Sequence, residues 1–189
     1  VSSNKELVAE HGHDLLQLAA EKGVSYLFEA SVGGGIPILR PLSQCLAANE
    51  LTEVCGILNG TTNYILSRMS DEGVEYAACL KDAQALGYAE ADPTADVEGF
   101  DAMYKNSILS SLAYKKRVPV DKIDREGMSG IAVEDINYGK ELGYTLKLLA
   151  VSKNRDGKIE ARVHPAFLPS GHPLSSVSGS FNAVYVHGD

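Results

Sequence analysis

The chain has 189 residues, 44% of them hydrophobic, and a formal net charge of -8 at pH 7. This length accommodates one large domain with a hydrophobic core, and we interpret residues 1–189 as a single domain. The negative charge comes without basic runs, which argues against nucleic acid or an anionic membrane as a partner. No apolar stretch is long enough to span a membrane and no leader pattern is visible. We therefore expect a cytoplasmic protein whose partners are small molecules or other protein chains.

The cysteines predict neither a disulfide framework nor a zinc site. Cys45, Cys55 and Cys79 are odd in number, widely spaced and set among apolar neighbours. We expect them to be reduced thiols in the core.

The first part of the chain predicts a helix followed by a strand. The Ser3–Glu6 segment has the spacing of a helix capping box. Gly12 is expected to interrupt this helix, and Gly23 is a plausible left-handed stop. The apolar segment Val24–Phe28 is β-prone and is predicted to form a strand.

The next segments predict a glycine loop and a second strand. Pro37 suits the first position of a helix that follows the glycine run Gly33–Gly35. Thr52–Leu58 is a strand candidate, and it leads into Asn59–Asn63, where turn-forming and helix-capping residues meet. Backbone amides at this turn are available to a polar ligand.

The rest of the chain predicts further helices and a hairpin. The predicted elements are a helix over Glu75–Leu86 that stops at Gly87, a helix over Asp135–Leu142, a hairpin of Thr145–Lys153 with Lys158–Phe167, and a last strand over Phe181–His187. Because helices and strands mix without a strict βαβ rhythm, we predict an α+β fold with one mixed β-sheet and helices packed on a face.

The segment Gly87–Lys105 carries the clearest sign of a functional site. Pro93 excludes a continuous helix from upstream, and a new helix is predicted to start near Ala95, capped by Thr94 or Asp96. On that helix, Asp101 and Lys105 fall on the apolar stripe, one turn apart. They should pair with each other or face a polar cavity, because burying an unpaired charge is costly. The alternative is an ordinary surface ion pair.

Two further acidic residues favour a functional interpretation. Glu90 and Asp96 lie just upstream of Asp101. Together with Asp101 they form a group of carboxylates that can hold a substrate ammonium beside Lys105 as a proton donor.

The glycine run lacks a nucleotide-binding fingerprint. Ile38 stands where the third glycine of G-x-G-x-x-G belongs, and the P-loop lysine is absent. The loop can instead turn carbonyls inward beside Glu29, an all-oxygen ligand set that a hard cation prefers. The alternative is a turn that binds nothing.

The chain resembles the catalytic domain of homoserine dehydrogenase from Ser3 to Gly188. The segments that carry the resemblance are Asn4–Lys5, Phe28–Pro37, Gly56–Tyr64 and Gly87–Lys105. The resemblance implies NAD(P)-dependent interconversion of L-homoserine and L-aspartate 4-semialdehyde, in the biosynthesis of threonine, methionine and isoleucine.

The resemblance also implies roles for individual residues. Lys105 resembles the catalytic proton donor and Lys5 a second active-site lysine at the edge of the cofactor, and the resemblance counts Asp101 among both the catalytic and the substrate-binding residues. The implied substrate-binding residues are Glu90, Asp96, Asp101, Gly60 and Thr61, the implied cofactor-binding residues are Lys5 and Gly87, and the implied ligands of a sodium or other monovalent cation are Glu29 and the carbonyls of Val32, Gly34 and Ile36.

Enzymes of this family also contain a Rossmann nucleotide-binding half, which this chain lacks. We therefore expect a substrate-binding and dimerisation domain, homodimeric in its parent and inactive alone. Two alternatives remain open. One is a non-catalytic amino-acid-binding or dimerisation module, and the other is a Schiff-base enzyme that uses Lys105 as its nucleophile, which borohydride trapping would reveal.

Overall fold

The computed structural model describes all residues 1–189 and has the predicted α+β fold. Its helices are α1 Lys5–Glu21, α2 Gly60–Glu72, α3 Tyr76–Ala85, α4 Thr94–Val97, α5 Phe100–Ala113 and α6 Val133–Glu141, and its strands are β1 Leu51–Ile57, β2 Asp124–Arg125, β3 Tyr144–Arg155, β4 Lys158–Pro169 and β5 Ala183–Gly188. No helix combines the length and the apolar composition that crossing a membrane requires.

The five strands form one mixed sheet in the order β2-β4-β3-β1-β5. The short β2, which the sequence did not predict, runs parallel to β4, while the other neighbours are antiparallel. The predicted hairpin is confirmed as β3 and β4, which pair along their whole length. Its turn places Asp156 and Gly157 at positive φ, the conformation that a two-residue hairpin turn needs.

The helices cover one face of the sheet and bury most of the core there. Alternate residues of β3, such as Leu146 and Leu148, belong to a core cluster of 28 buried residues. Leu149 and Val151 point to the other face and pack in a smaller cluster with Leu174. This second face is therefore covered in part by the irregular segment between β4 and β5.

The predicted interruption of α1 is wrong. Gly12 is buried within a continuous helix from Lys5 to Glu21. The side chain of Asn4, rather than Ser3, caps the helix by accepting a hydrogen bond from the Leu7 amide at 3.0 Å. The predicted stop at Gly23 is confirmed by its positive φ of 64°.

The predicted strand over Val24–Phe28 is also wrong. The segment has no paired strand beside it, and its backbone bonds are limited to those from the Val24 amide to Ala19, from the Ser2 amide to Leu27 and from the Ser31 amide to Phe28. Val24 and Leu27 are exposed. A β-prone sequence becomes a strand only where another strand can pair with it.

Two helix starts differ from their predictions. Helical structure after the glycine loop begins at Leu39 rather than Pro37, and its short π-helical part runs over Pro41–Cys45. The helix predicted from Ala95 is divided into α4 and α5 by Gly99, whose φ is 80°. Neither Thr94 nor Asp96 caps α5. Cys45 is exposed, whereas Cys55 and Cys79 are buried thiols as expected.

Candidate active site

Asp101 lies at the centre of a buried cluster of charges. It sits in the first turn of α5, and only 5% of its side chain is exposed. One carboxylate oxygen is 2.8 Å from Lys5 Nζ, and the other is 2.6 Å from Lys105 Nζ. The fold therefore brings the beginning of α1 and the first half of α5 together at one carboxylate.

Lys105 is fixed by two acceptors. Besides Asp101, its Nζ donates to the Leu58 carbonyl at 2.7 Å, just beyond the end of β1. Its side chain is 16% exposed, so the alternative of a surface ion pair is wrong. The ammonium remains close to solvent while its position is set by the sheet and by α5.

Asn59 connects the carboxylates to the start of α2. Its Nδ2 donates to Asp96 Oδ1 at 2.7 Å and to Asp101 Oδ2 at 3.0 Å. Its Oδ1 accepts from the Thr62 amide at 2.9 Å and so caps α2. One buried amide thus holds two of the predicted acidic residues close together.

The charges of the cluster stabilise one another. Burial opposes ionisation of Asp101, but the charge of Lys105 and the hydrogen bonds from Asn59, Lys105 and Lys5 outweigh burial and lower the pKa of Asp101 below its usual value. The hydrogen bond to Asp101 raises the pKa of Lys5, although burial acts in the opposite direction. Asp101 is therefore a carboxylate that pairs with cations.

The predicted turn residues Gly60 and Thr61 lie next to this cluster. They form the first turn of α2, which Asn59 caps. Thr61 Oγ1 donates to the Tyr88 carbonyl at 2.5 Å, which ties this turn to the loop that contains Glu90. On the other side, a Cβ added at Gly60 would lie 2.7 Å from the Ser180 carbonyl, so the backbones approach closely here.

Glu90 and Gly87 are less tightly held. The Glu90 side chain is exposed and makes no hydrogen bond or ion pair with the chain, while its backbone carbonyl accepts from Gln84 Nε2 at 3.0 Å. Gly87 ends the α3 region with a φ of 77°. The structure therefore brings Lys5, Asp96, Asp101 and Lys105 together. It leaves the Glu90 side chain exposed and without a partner in the chain.

The glycine loop partly matches the ligand set of a cation. The Glu29 carboxylate accepts from the amides of Leu39 at 2.8 Å and Arg40 at 2.9 Å. The Ile36 carbonyl accepts from Ile38, whereas the carbonyls of Val32 and Gly34 accept no hydrogen bond from the chain. Two carbonyls of the loop are therefore open to a ligand of the kind that a hard cation prefers, whereas each oxygen of the Glu29 carboxylate already accepts from a backbone amide.

Three features of the site were missed by sequence reasoning. These are the Leu58 carbonyl, the second use of the Asn59 amide, and Asn182, whose Nδ2 donates to the Leu58 carbonyl at 3.4 Å and whose Oδ1 is buried without a partner. An asparagine before a helix signals a cap. No local pattern shows that the same amide holds two distant carboxylates.

Comparison with known proteins identifies the family. A sequence model described as homoserine dehydrogenase matches residues 37–189. The chain belongs to the homoserine dehydrogenase family. It is 49% identical over 189 residues to homoserine dehydrogenase from Bacillus subtilis, covering 100% of this chain and 44% of that protein.

Solved structures of homoserine dehydrogenases have the same fold. The crystal structure from Thiobacillus denitrificans matches with a TM-score of 0.96 and 46% identity, over 99% of this chain and 43% of that one. A hyperthermophilic archaeal homoserine dehydrogenase mutant in complex with NADPH matches with a TM-score of 0.84 and 30% identity, over 100% of this chain and 54% of that one. The chain thus spans about half the length of these relatives, or less.

Proposed function

We propose that this chain is the substrate-binding and catalytic part of a homoserine dehydrogenase, which interconverts L-homoserine and L-aspartate 4-semialdehyde with NAD(P). The observation that carries the proposal is the buried Asp101 held between Lys5 and Lys105. Two lysines on one carboxylate, with a further acidic group held beside them, provide the proton donor and the positive potential that reduction of an aldehyde needs.

Lys105 transfers the proton. Reduction of the aldehyde leaves an alkoxide, which the Lys105 ammonium stabilises and protonates, and in the reverse direction the amine takes the proton from the alcohol. Asp101 and the Leu58 carbonyl fix the position of Nζ. The nicotinamide, when bound, supplies or accepts the hydride.

The acidic residues bind and orient the substrate. The α-ammonium of homoserine pairs with Glu90, whose side chain is exposed and has no partner in the chain, while Asn59 holds Asp96 close to Asp101. Gly60 and Thr61 border the substrate at the start of α2, where backbone amides without helical partners favour a carboxylate.

Lys5 and Gly87 border the cofactor. The Lys5 side chain is 44% exposed although its ammonium is bound to Asp101, so its aliphatic part is accessible to a ligand on one side of the site. Gly87 is exposed at the end of α3. The nucleotide itself would bind mainly to the part of the protein outside this chain, since no dinucleotide fingerprint is present in it.

The loop at Glu29 would hold sodium or another monovalent cation. Its ligands would be the Glu29 carboxylate and the carbonyls of Val32, Gly34 and Ile36. The role of this ion is structural. It would join the glycine loop to the following helix, because Glu29 already bonds to the first amides of that helix.

At the level of the whole protein, we propose a cytoplasmic homodimer in the pathway to threonine, methionine and isoleucine. Without the nucleotide-binding part, the isolated chain is expected to be inactive. Its self-association would use exposed surface of the sheet.

The experiment that tests this function uses the full-length protein and the isolated chain in parallel. The full-length protein should oxidise L-homoserine with NAD+ or NADP+ and release an aldehyde that a hydrazine reagent traps. The isolated chain should show no NADPH saturation by calorimetry. A pure, folded full-length protein that oxidises no homoserine with either nucleotide would refute the proposal.

A further inference from the structure

Lys147 is a buried lysine outside the site described above. It lies on β3 and is only 3% exposed. Its Nζ donates to Asn63 Oδ1 at 3.0 Å and to the Val177 carbonyl at 2.6 Å. Its partners are thus neutral oxygens, and no carboxylate lies within ion-pair distance.

The buried ammonium of Lys147 does not stabilise the folded state. Burial lowers the pKa of Lys147 to about 8, against the opposing effect of Asp71. At neutral pH the amine is therefore mostly charged, and the folded state bears the desolvation cost of that charge. Its two hydrogen bonds instead join β3 to α2 and to the segment before β5.

Lys147 holds one end of an irregular strap, residues 177–182, which connects to β5. Asn63, on α2, donates to the carbonyls of Val177 at 3.1 Å and Phe181 at 3.0 Å, and it accepts from Lys147. The Gly179 amide donates to Ser67 Oγ at 3.1 Å. The strap is therefore fastened along the buried side of α2.

The other end of the strap reaches the candidate active site. Ser180 lies against Gly60, where no side chain would fit. Asn182 Nδ2 donates to the Leu58 carbonyl at 3.4 Å, and the same carbonyl accepts from Lys105 Nζ at 2.7 Å. A shift of the strap would move the Gly60 turn and the acceptor of Lys105.

We propose that Lys147 is a positioning residue for homoserine binding: with Asn63 it fixes the strap 177–182 against α2 and so sets the Gly60–Thr61 turn and the Leu58 carbonyl. This inference rests on the proposed function for its kinetic part. It assigns Lys147 no contact with substrate.

The kinetic test compares two methionine variants of the full-length enzyme. Lys147→Met keeps the apolar stem and deletes the ammonium. It should raise KM for homoserine on the order of tenfold, as expected for the loss of about one buried hydrogen bond, with a smaller change in kcat and none in KM for the nucleotide. Its melting temperature should change little, because removal of the buried charge offsets the lost hydrogen bond to Asn63 Oδ1. The control is Lys153→Met, also on β3 but paired with Glu53 at 3.3 Å in a half-exposed position, which should change neither kinetic constant.

The structural test measures hydrogen exchange and needs no turnover. In Lys147→Met the Gly179 amide should exchange faster than in the parent and in Lys153→Met. If the parent does not oxidise homoserine, the proposed function fails, and the exchange of Gly179 still decides whether Lys147 holds the strap. Unchanged protection of Gly179, or an unchanged KM for homoserine in an active parent, would overturn the proposal.

A milder variant keeps the proposal testable if Lys147→Met does not fold. Ser67→Ala removes only the acceptor of the Gly179 amide. It should raise KM for homoserine in the same direction and expose the Gly179 amide to exchange. A folded Ser67→Ala variant with the parent KM would contradict the proposed role of the strap.

Discussion

Asp101 is the residue whose charge holds the site together, because each of its carboxylate oxygens accepts an ammonium group. In Asp101→Asn the two lysines would face each other without an anion, so we expect a loss of roughly 3 kcal/mol of unfolding free energy and a large rise in KM for homoserine. Urea unfolding at pH 7 measures the first effect. Asp121→Asn, which removes an exposed partner of Lys122, is the control and should leave stability unchanged.

The stabilisation by Asp101 should depend on pH in a defined direction. Its pKa lies below the ordinary value of 3.8, so the contribution is present above pH 3.8 and is lost as the pH falls through the lowered pKa. The difference in stability between the parent and Asp101→Asn should therefore shrink in acid. A difference that stays constant as the pH falls from neutral to well below 3.8 would show that Asp101 is not the ionised partner.

The effect of Lys147 on stability should depend on pH in the alkaline range. Its pKa is about 8 in the folded chain, against an ordinary value of 10.5, so the unfolded chain binds the proton more tightly and the parent gains stability across this interval. The stability of Lys147→Met relative to the parent should therefore fall as the pH rises from about 8 to 10.5. A relative stability that rises with pH over this interval would contradict a buried ammonium.

At the scale of elements, the first turn of α2 depends on a close approach to the strap. A Cβ at Gly60 would lie 2.7 Å from the Ser180 carbonyl, so Gly60→Ala must displace one of them. We expect a loss of about 1–3 kcal/mol together with weaker homoserine binding. Gly130→Ala is the matched control, since a Cβ there meets nothing within 4 Å.

The glycine loop should respond to sodium if it holds the proposed cation. Sodium chloride should raise the melting temperature of the chain above its value in N-methylglucamine chloride of equal ionic strength, by the equivalent of about 1–3 kcal/mol at saturation. Glu29→Gln should abolish the difference, whereas Glu141→Gln, at the exposed end of α6, should retain it. Equal melting temperatures in both salts would speak against a cation at Glu29.

Elements with local signals could be predicted from the sequence. The hairpin β3–β4 has a turn with its own residue preferences, and α3 ends before a glycine. The segment Val24–Phe28 has equally clear strand propensity, but most of its backbone amides and carbonyls have no partner in this chain. Strand formation depends on a neighbour that no local pattern specifies.

For the whole molecule, the candidate site was predictable only in part. The spacing of Asp101 and Lys105 placed them on one face of a helix, and α5 retains that relation although Gly99 divides the predicted helix. The packing of α1, β1 and the strap against one another brings three further groups to this pair: Lys5, the Leu58 carbonyl and Asn182. Such contacts between distant segments follow from tertiary structure rather than from periodicity.

We propose Lys105 as the proton donor and acceptor for homoserine. Lys105→Met keeps the apolar stem and deletes the ammonium, and Asp101 retains Lys5 as a partner, so the full-length variant should fold. Lys115→Met, on an exposed lysine whose Nζ contacts the Ala47 carbonyl, serves as the control.

The most direct measurement is the steady-state oxidation of L-homoserine by the folded Lys105→Met variant of the full-length protein. The predicted result is a kcat lower by on the order of a hundredfold to ten-thousandfold, with nearly unchanged affinity for the nicotinamide nucleotide and with parental activity in Lys115→Met. A kcat within a few-fold of the parent would contradict the account, because Lys105 would then be only the ion-pair partner of Asp101.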